Sequence, residues 1–205
     1  MIRLLSFVFG LCLFTFASYS DSYKVLCLGD SLTEGYGVSK ASAYPAKLKT
    51  KLNEKGLDVE VINAGVSGST TASGLSRLRW ALKAKAKPDI LIIALGANDG
   101  LRGQPVENSK ENLRKIIQYA KSQGLKVLLA GMKLPKNYGK AYTSEFQDMF
   151  SDLATTEKLT FMPFLLEGVA AESSLNLPDG IHPNAKGHEV IASNLLVYLL
   201  PLLKT

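Results

Sequence analysis

The chain contains two histidines, His182 and His188, and only the first has an acid at a useful spacing. Asp179-Gly180-Ile181-His182-Pro183-Asn184 precedes the last apolar run. Acid and imidazole three residues apart in a tight turn can lie side by side. The carboxylate then holds Nδ1–H and leaves Nε2 free to take a proton from a hydroxyl. Pro178 and Pro183 restrict the backbone on both flanks, which suits a pair that needs fixed geometry. His188 has no such neighbour and reads as a satisfied helix residue.

The hydroxyl to pair with it is Ser31, in Gly29-Asp30-Ser31-Leu32, directly after an apolar run and before a Gly35-Tyr36-Gly37 loop. Taken alone this is ordinary turn chemistry, and no Gly-x-Ser-x-Gly elbow is present. Two other segments offer donors. In Asn63-Ala64-Gly65-Val66-Ser67-Gly68-Ser69-Thr70, Gly68 lets bare backbone approach a ligand and presents its N–H, although Ser69 or Thr70 also reads as a helix cap. In Leu95-Gly96-Ala97-Asn98-Asp99-Gly100, Asn98 either bonds its own turn or aims its NH₂ at the same point as Gly68. Two donors converging beside a serine make an oxyanion hole, and losing one such donor typically costs ~10²–10³ in kcat.

These residues need a frame, and the chain supplies one by alternation. Aliphatic or β-branched runs occur at Tyr23–Leu28, Asp58–Asn63, Ile90–Leu95, Lys126–Ala130 and Leu159–Met162. Helical periodicities lie between and after them: Leu113, Ile116, Ile117 and Ala120; Tyr142, Phe146, Met149, Phe150 and Leu153; Ile191, Leu195, Tyr198, Leu199 and Leu202. Pro45 and Pro105 sit where helices start, Gly56 and Gly124 where they stop. Five βα units predict an α/β fold, a three-layer αβα sandwich around a parallel sheet. Ile90–Leu95 is apolar throughout, as a central strand must be, whereas Asp58-Val59-Glu60-Val61 alternates and the fifth run is short; both read as edges. A flavodoxin-like order 2-1-3-4-5 satisfies both observations. In such sheets ligands bind beyond the carboxyl ends of the strands, where all four chemical segments fall.

Composition narrows the remaining classes. The chain has 205 residues, is 46% hydrophobic and 20% charged, and has a net charge of +6, so disorder and coiled coil are excluded. The cationic excess is scattered and gives no footprint for nucleic acid. Lysines at 47, 49, 51, 55, 83, 85 and 87 read as solvated helix faces with a bias towards anionic lipid surfaces. Two histidines, two cysteines and no His-Glu-x-x-His leave no metal site, and no Walker A or Gly-x-Gly-x-x-Gly cradle is present. Residues 1–20 carry Arg3, an apolar run from Leu4 to Ala17 and a small-residue exit, the pattern of a secretory signal peptide. The run is shorter than the ~20 residues a span needs. Residues 21–205 are then one domain with a single thiol, Cys27, in a buried strand.

Gly29-Asp30-Ser31-Leu32, Val66-Ser67-Gly68, Gly96-Ala97-Asn98-Asp99 and Asp179-Gly180-Ile181-His182-Pro183, taken in order, resemble the four blocks of the SGNH, or GDSL, hydrolase family. The resemblance runs from about Tyr23 to Leu200. Asn98-Asp99-Gly100-Leu101-Arg102-Gly103 and Leu134-Pro135-x-Asn137-Tyr138-Gly139 are most similar to its bacterial periplasmic thioesterase, lysophospholipase and arylesterase branch. The resemblance implies Ser31 as nucleophile, His182 as base and Asp179 as its orienter. It also implies an oxyanion hole from the N–H groups of Ser31 and Gly68 and the side chain of Asn98. Leu101, Arg102, Gly103, Pro135, Tyr138 and Ile181 are the corresponding substrate-pocket candidates. Ser69 stands where that branch often has Asp, and Ala97 where Gly is common, which bears on loop geometry and substrate range. The implied enzyme is an exported, monomeric, cofactor-free serine esterase, periplasmic or secreted. Its substrates would be lysophospholipids, aryl or short-to-medium acyl esters, and acyl thioesters. Two alternatives are a glycan O-acetyl esterase of the same fold and a non-catalytic lipid-binding module.

Overall fold

A computed structural model describes residues 23–84 and 88–203. The leader in residues 1–20 and the lysines at 85 and 87 lie outside the described residues. In chain order the elements are β1 (Tyr23–Gly29), α1 (Ser31–Glu34), α2 (Tyr44–Glu54), β2 (Val59–Gly65), α3 (Thr71–Ala84) and β3 (Ile90–Ala94). They continue with α4 (Ala97–Leu101), α5 (Val106–Ser122), β4 (Lys126–Ala130), α6 (Lys140–Thr156), β5 (Thr160–Met162) and α7 (Ala185–Leu203).

All neighbouring strands pair in parallel, in the order β2-β1-β3-β4-β5. Every residue of β3 is buried, the condition for a strand covered on both faces. Each of its isoleucines contributes roughly 1.5–3 kcal/mol by leaving water. β2 alternates instead, with Val59 buried and Glu60 exposed, and lies at one edge with the three-residue β5 at the other. On one side α2 packs against α7; on the other, α3 packs on α5 and α5 on α6. The apolar positions read from the sequence are the buried ones in α5 (Leu113, Ile116, Ile117, Ala120) and α6 (Phe146, Met149, Phe150, Leu153). In α7, Ile191, Leu195 and Leu199 likewise face the core. Among the described residues no helix is long and apolar enough to cross a membrane. Cys27 is buried in β1, and burial pushes its thiol up to about 12, which makes it a packing residue.

The elements nearest the site differ most from expectation. β2 continues two residues past Asn63, to Gly65, because Ala64 and Gly65 pair with Leu28 and Gly29 of β1; Gly65 also lies against the backbone of α1, where a Cβ would collide with Glu34. α1 and α4 are single turns directly after β1 and β3, too short to leave a periodic signal. α3 starts at Thr71, which leaves the cap candidate Thr70 in the position before the helix, as expected. Its first N–H is held by a partner distant in sequence, the carboxyl of Asp99.

Candidate active site

Ser31 is the first residue of α1, at the carboxyl end of β1. Asp30 caps this turn, its Oδ1 accepting the Leu32 N–H at 3.0 Å. Gly35, in the left-handed conformation, closes the turn with an N–H donated to the Ser31 carbonyl at 3.0 Å. The chain then runs through Tyr36 and Gly37 to α2. The nucleophile candidate therefore sits on a turn clamped at both ends.

His182 is delivered from the opposite end of the sequence by a small hairpin before α7. The Leu177 N–H donates to the His182 carbonyl at 2.7 Å, and Asn176 bridges to Pro183. The buried Asn176 side chain donates to the carbonyls of Val169 (2.6 Å) and Glu172 (2.8 Å). Asn184 caps α7, its Oδ1 accepting from Lys186 and Gly187. Within this frame Asp179 Oδ1 accepts the N–H groups of Ile181 (2.9 Å) and His182 (3.0 Å). Asp179 Oδ2 lies 2.7 Å from His182 Nδ1, and His182 Nε2 lies 3.0 Å from Ser31 Oγ. The three predicted groups are thus in one hydrogen-bonded line. With Nδ1 donating to the carboxylate, Nε2 is left as acceptor for the serine proton. Those two backbone N–H groups hold the Asp179 carboxyl down at about 2, so it remains an anion opposite the imidazole. The ring of Tyr36 tilts against that of His182, 4.6 Å between centroids.

The donor candidates occupy the next two strand ends. Gly68 has φ +77°, a conformation that keeps its segment open to glycine alone. Asn98, on α4, donates from Nδ2 to the Ser69 carbonyl at 3.0 Å and lies 3.5 Å from Asp30 Oδ2. Asp30 is buried, and loss of solvent pushes its carboxyl up to about 6 despite the Leu32 N–H. Of the pocket candidates, Arg102 donates from Nη2 to the Gly68 carbonyl at 3.2 Å. Tyr138 donates its hydroxyl to the Leu101 carbonyl at 3.0 Å, so it braces the α4 loop. Gly103 and Pro135 are exposed, and Ile181 stands beside His182 with half its surface in water.

Several residues around the site were not legible as such. Asp99 is buried and accepts from Thr71 N (2.9 Å), Thr71 Oγ1 (2.6 Å) and Ser109 Oγ (3.2 Å), tying α3 and α5 to the Asn98 turn. Arg77 reaches from α3 to the carbonyls of Gly29 (2.9 Å) and Ala64, the ends of β1 and β2. Glu34 accepts from both the N–H and the hydroxyl of Ser67, and this lowers its carboxyl. Tyr142 Oη donates to the Gln104 carbonyl at 2.7 Å. Its helical spacing had marked it only as core-facing.

The order of the sheet and the residues at its strand ends define a class: the chain belongs to the GDSL-like lipase/acylhydrolase family, which it matches over residues 27–190. It is similar to an arylesterase of Vibrio mimicus, 41% identical over 203 residues that span 97% of this chain and 100% of that one. It is 38% identical to the thioesterase 1/protease 1/lysophospholipase L1 of Escherichia coli (strain K12), over 97% of this chain and 92% of that one. Among solved structures it resembles TesA, with a TM-score of 0.84, 38% identity and coverage of 87% of this chain and 99% of that one.

Proposed function

We propose that the chain is an exported serine hydrolase that cleaves acyl esters and thioesters through an acyl-Ser31 intermediate. The observation that carries this reading is the Ser31 Oγ–His182 Nε2–Asp179 line, at 3.0 and 2.7 Å. Ser31 attacks the carbonyl as His182 takes its proton, and Asp179 stabilises the imidazolium that forms. The oxyanion is held by the N–H groups of Ser31 and Gly68 and by Nδ2 of Asn98. The Asn98 proton facing Asp30 has only a 3.5 Å contact in the free enzyme, so it is the one available to turn to the oxyanion. His182 returns the proton to the leaving alcohol or thiol. Water then repeats the sequence on the acyl-enzyme, with no cofactor involved.

An apolar acyl group is favoured by the rim. Among the described residues, three of the five exposed large hydrophobic side chains, Tyr36, Val66 and Ile181, stand on the loops that carry the site. Lysophospholipids, aryl esters and acyl thioesters, the substrates named in the relatives, all present such a group. The leader in residues 1–20 directs the monomer to the periplasm or beyond the cell. A second reading, glycan deacetylation, is favoured by a polar hollow of about 460 Å³ lined by Arg102, Gln104, Asn108, Asn112 and Lys115.

The test is an acyl-chain series of p-nitrophenyl esters and lysophospholipids, with acetylated xylan alongside, for wild type and Ser31→Ala. Loss of nearly all turnover in Ser31→Ala is expected, with rates rising from acetyl to longer chains. Equal rates in the two proteins would end the hydrolase reading, and a preference for the acetylated glycan would select the second one.

A further inference from the structure

We propose that the outer stripe of α3 centred on Trp80 is a docking surface for anionic phospholipid bilayers. Trp80 is the only tryptophan of the chain, and it is 73% exposed, more than any other large hydrophobic residue described. It borders a shallow hollow of about 410 Å³ with Leu75, Ser76, Arg79 and Lys83, and Ala72 completes the lining. These positions recur at helical spacing, so they form one continuous face of the helix.

The charge on this face is of one sign. Residues Thr71–Ala84 include Arg77, Arg79 and Lys83 and no carboxylate. Arg77 is turned inward to the Gly29 and Ala64 carbonyls, which leaves Arg79 and Lys83 on the Trp80 side. Arg79 is held with its guanidinium 5.1 Å above the ring of Tyr119 on α5. Among the described residues neither Arg79 nor Lys83 has an ion-pair partner. By contrast, Lys47 and Lys51 on α2 both face Glu189, so part of the lysine excess counted from sequence is already neutralised. An indole flanked by two unneutralised cations, Arg79 and Lys83, matches the boundary of an anionic bilayer. The ring takes the headgroup level, and the cations meet lipid phosphates.

One helix connects this surface with the site. α3 begins three residues after Gly68, and Ala72 lines both this hollow and the polar one beside Arg102. From there α3 runs on towards the start of β3, so a bilayer seated on Trp80, nine residues past Thr71, lies along the flank of the domain, on the helix whose first turn adjoins the site. The docking goes beyond the hydrolytic reading, because binding can be measured without turnover.

The experiment uses the chain from Asp21 onward, which holds every element among the described residues, and non-hydrolysable ether-linked lipids. Because Trp80 is the sole indole, its emission reports the site directly. Vesicles of ether-linked phosphatidylcholine containing phosphatidylglycerol should shift that emission to the blue and sediment the protein. Pure phosphatidylcholine should bind at least about tenfold more weakly, and molar salt should abolish the difference. Arg79→Gln and Lys83→Gln should each weaken binding about fivefold. Trp80→Ala should weaken sedimentation as well, while all three variants hydrolyse a soluble p-nitrophenyl ester at the wild-type rate. Equal binding to neutral and anionic vesicles would overturn the proposal, as would binding that ignores the three substitutions. Blue shifts driven by protein concentration alone would overturn it in favour of self-association. Equally tight capture of a DNA oligomer without an emission change would reduce the surface to a nonspecific cation patch.

Discussion

Gly37 and Leu177 are in such close contact that a Cβ added to Gly37 would collide with Leu177 Cδ1. Gly37 belongs to the loop after α1, which carries Ser31; Leu177 opens the hairpin that carries Asp179 and His182. The two halves of the Ser31–His182–Asp179 line are therefore in register through this contact. Gly37→Ala has to move Leu177 and must also hold an alanine at φ +74°. The expected result is a loss of about 1 kcal/mol of stability from backbone strain. A fall of about tenfold or more in kcat/KM is expected from the displaced hairpin. The double variant Gly37→Ala, Leu177→Ala separates the two, because it should recover activity while keeping the strain. Steady-state kinetics beside urea unfolding checks this; a double variant as slow as the single one would rule out the contact as the cause.

Asp179 has a different role from its neighbours in the hairpin, because its charge is held in place by two backbone donors. Asp179→Asn keeps the size and can still accept those N–H groups. It also presents an amide to the imidazole, which favours the wrong tautomer. The expected loss is ~10²–10⁴ in kcat with KM changed little, measured on a soluble aryl ester. A variant within a few-fold of wild type would remove Asp179 from the mechanism.

Asp99 is expected to matter without touching substrate. It caps α3 through Thr71, holds Ser109 on α5 and adjoins Asn98 in sequence. Asp99→Ala strands the Thr71 and Ser109 donors and should cost about 2–3 kcal/mol. Because the Asn98 turn loses its anchor, kcat should fall along with stability. Asp99→Asn retains an acceptor and should recover part of both. Thermal unfolding with kinetics on the two variants is the check, and a stable but slow Asp99→Ala would make the residue catalytic instead of structural.

Asp99 also marks the boundary of what could be read before the fold was known. The alternation of apolar runs pointed to the parallel sheet with the third strand inside and the second and fifth at its edges, because a strand buried on both faces must be apolar. Asp179 and His182 stood out because they lie three residues apart in a turn flanked by prolines, whereas Ser31 gained weight only as one of four blocks in order. The bracing residues had no such signature. Asp99 meets Thr71 across 28 residues, and Arg77 meets Gly29 across 48. In sequence Arg77 is one more cation on a basic helix. Nothing local distinguishes it from Arg79, which faces solvent. Tyr142 has the spacing of a core residue, and only the fold shows its hydroxyl leaving the core for the Gln104 carbonyl.

Two buried titratable groups near the site should act in opposition on stability. Burial raises Asp30 from 3.8 to about 6 and lowers His188 from 6.5 to about 4. Between pH 4 and 6 the native state keeps the Asp30 proton that the unfolded chain has released, so this group makes stability fall as pH rises. Over the same window the unfolded chain protonates residue 188 while the native imidazole, accepting from Tyr44 N–H, stays neutral. That group makes stability rise with pH, and the two slopes cancel in the wild type. Removing one exposes the other. His188→Gln should lose about 1 kcal/mol per pH unit relative to wild type between pH 4 and 6, and Asp30→Asn should gain about the same. Every other group cancels in the comparison, including Glu34, Glu189 and Asp179, whose lowered carboxyls act mainly below that window. Urea unfolding of the three proteins across the window is decisive. Parallel curves would mean that neither group is shifted by its burial.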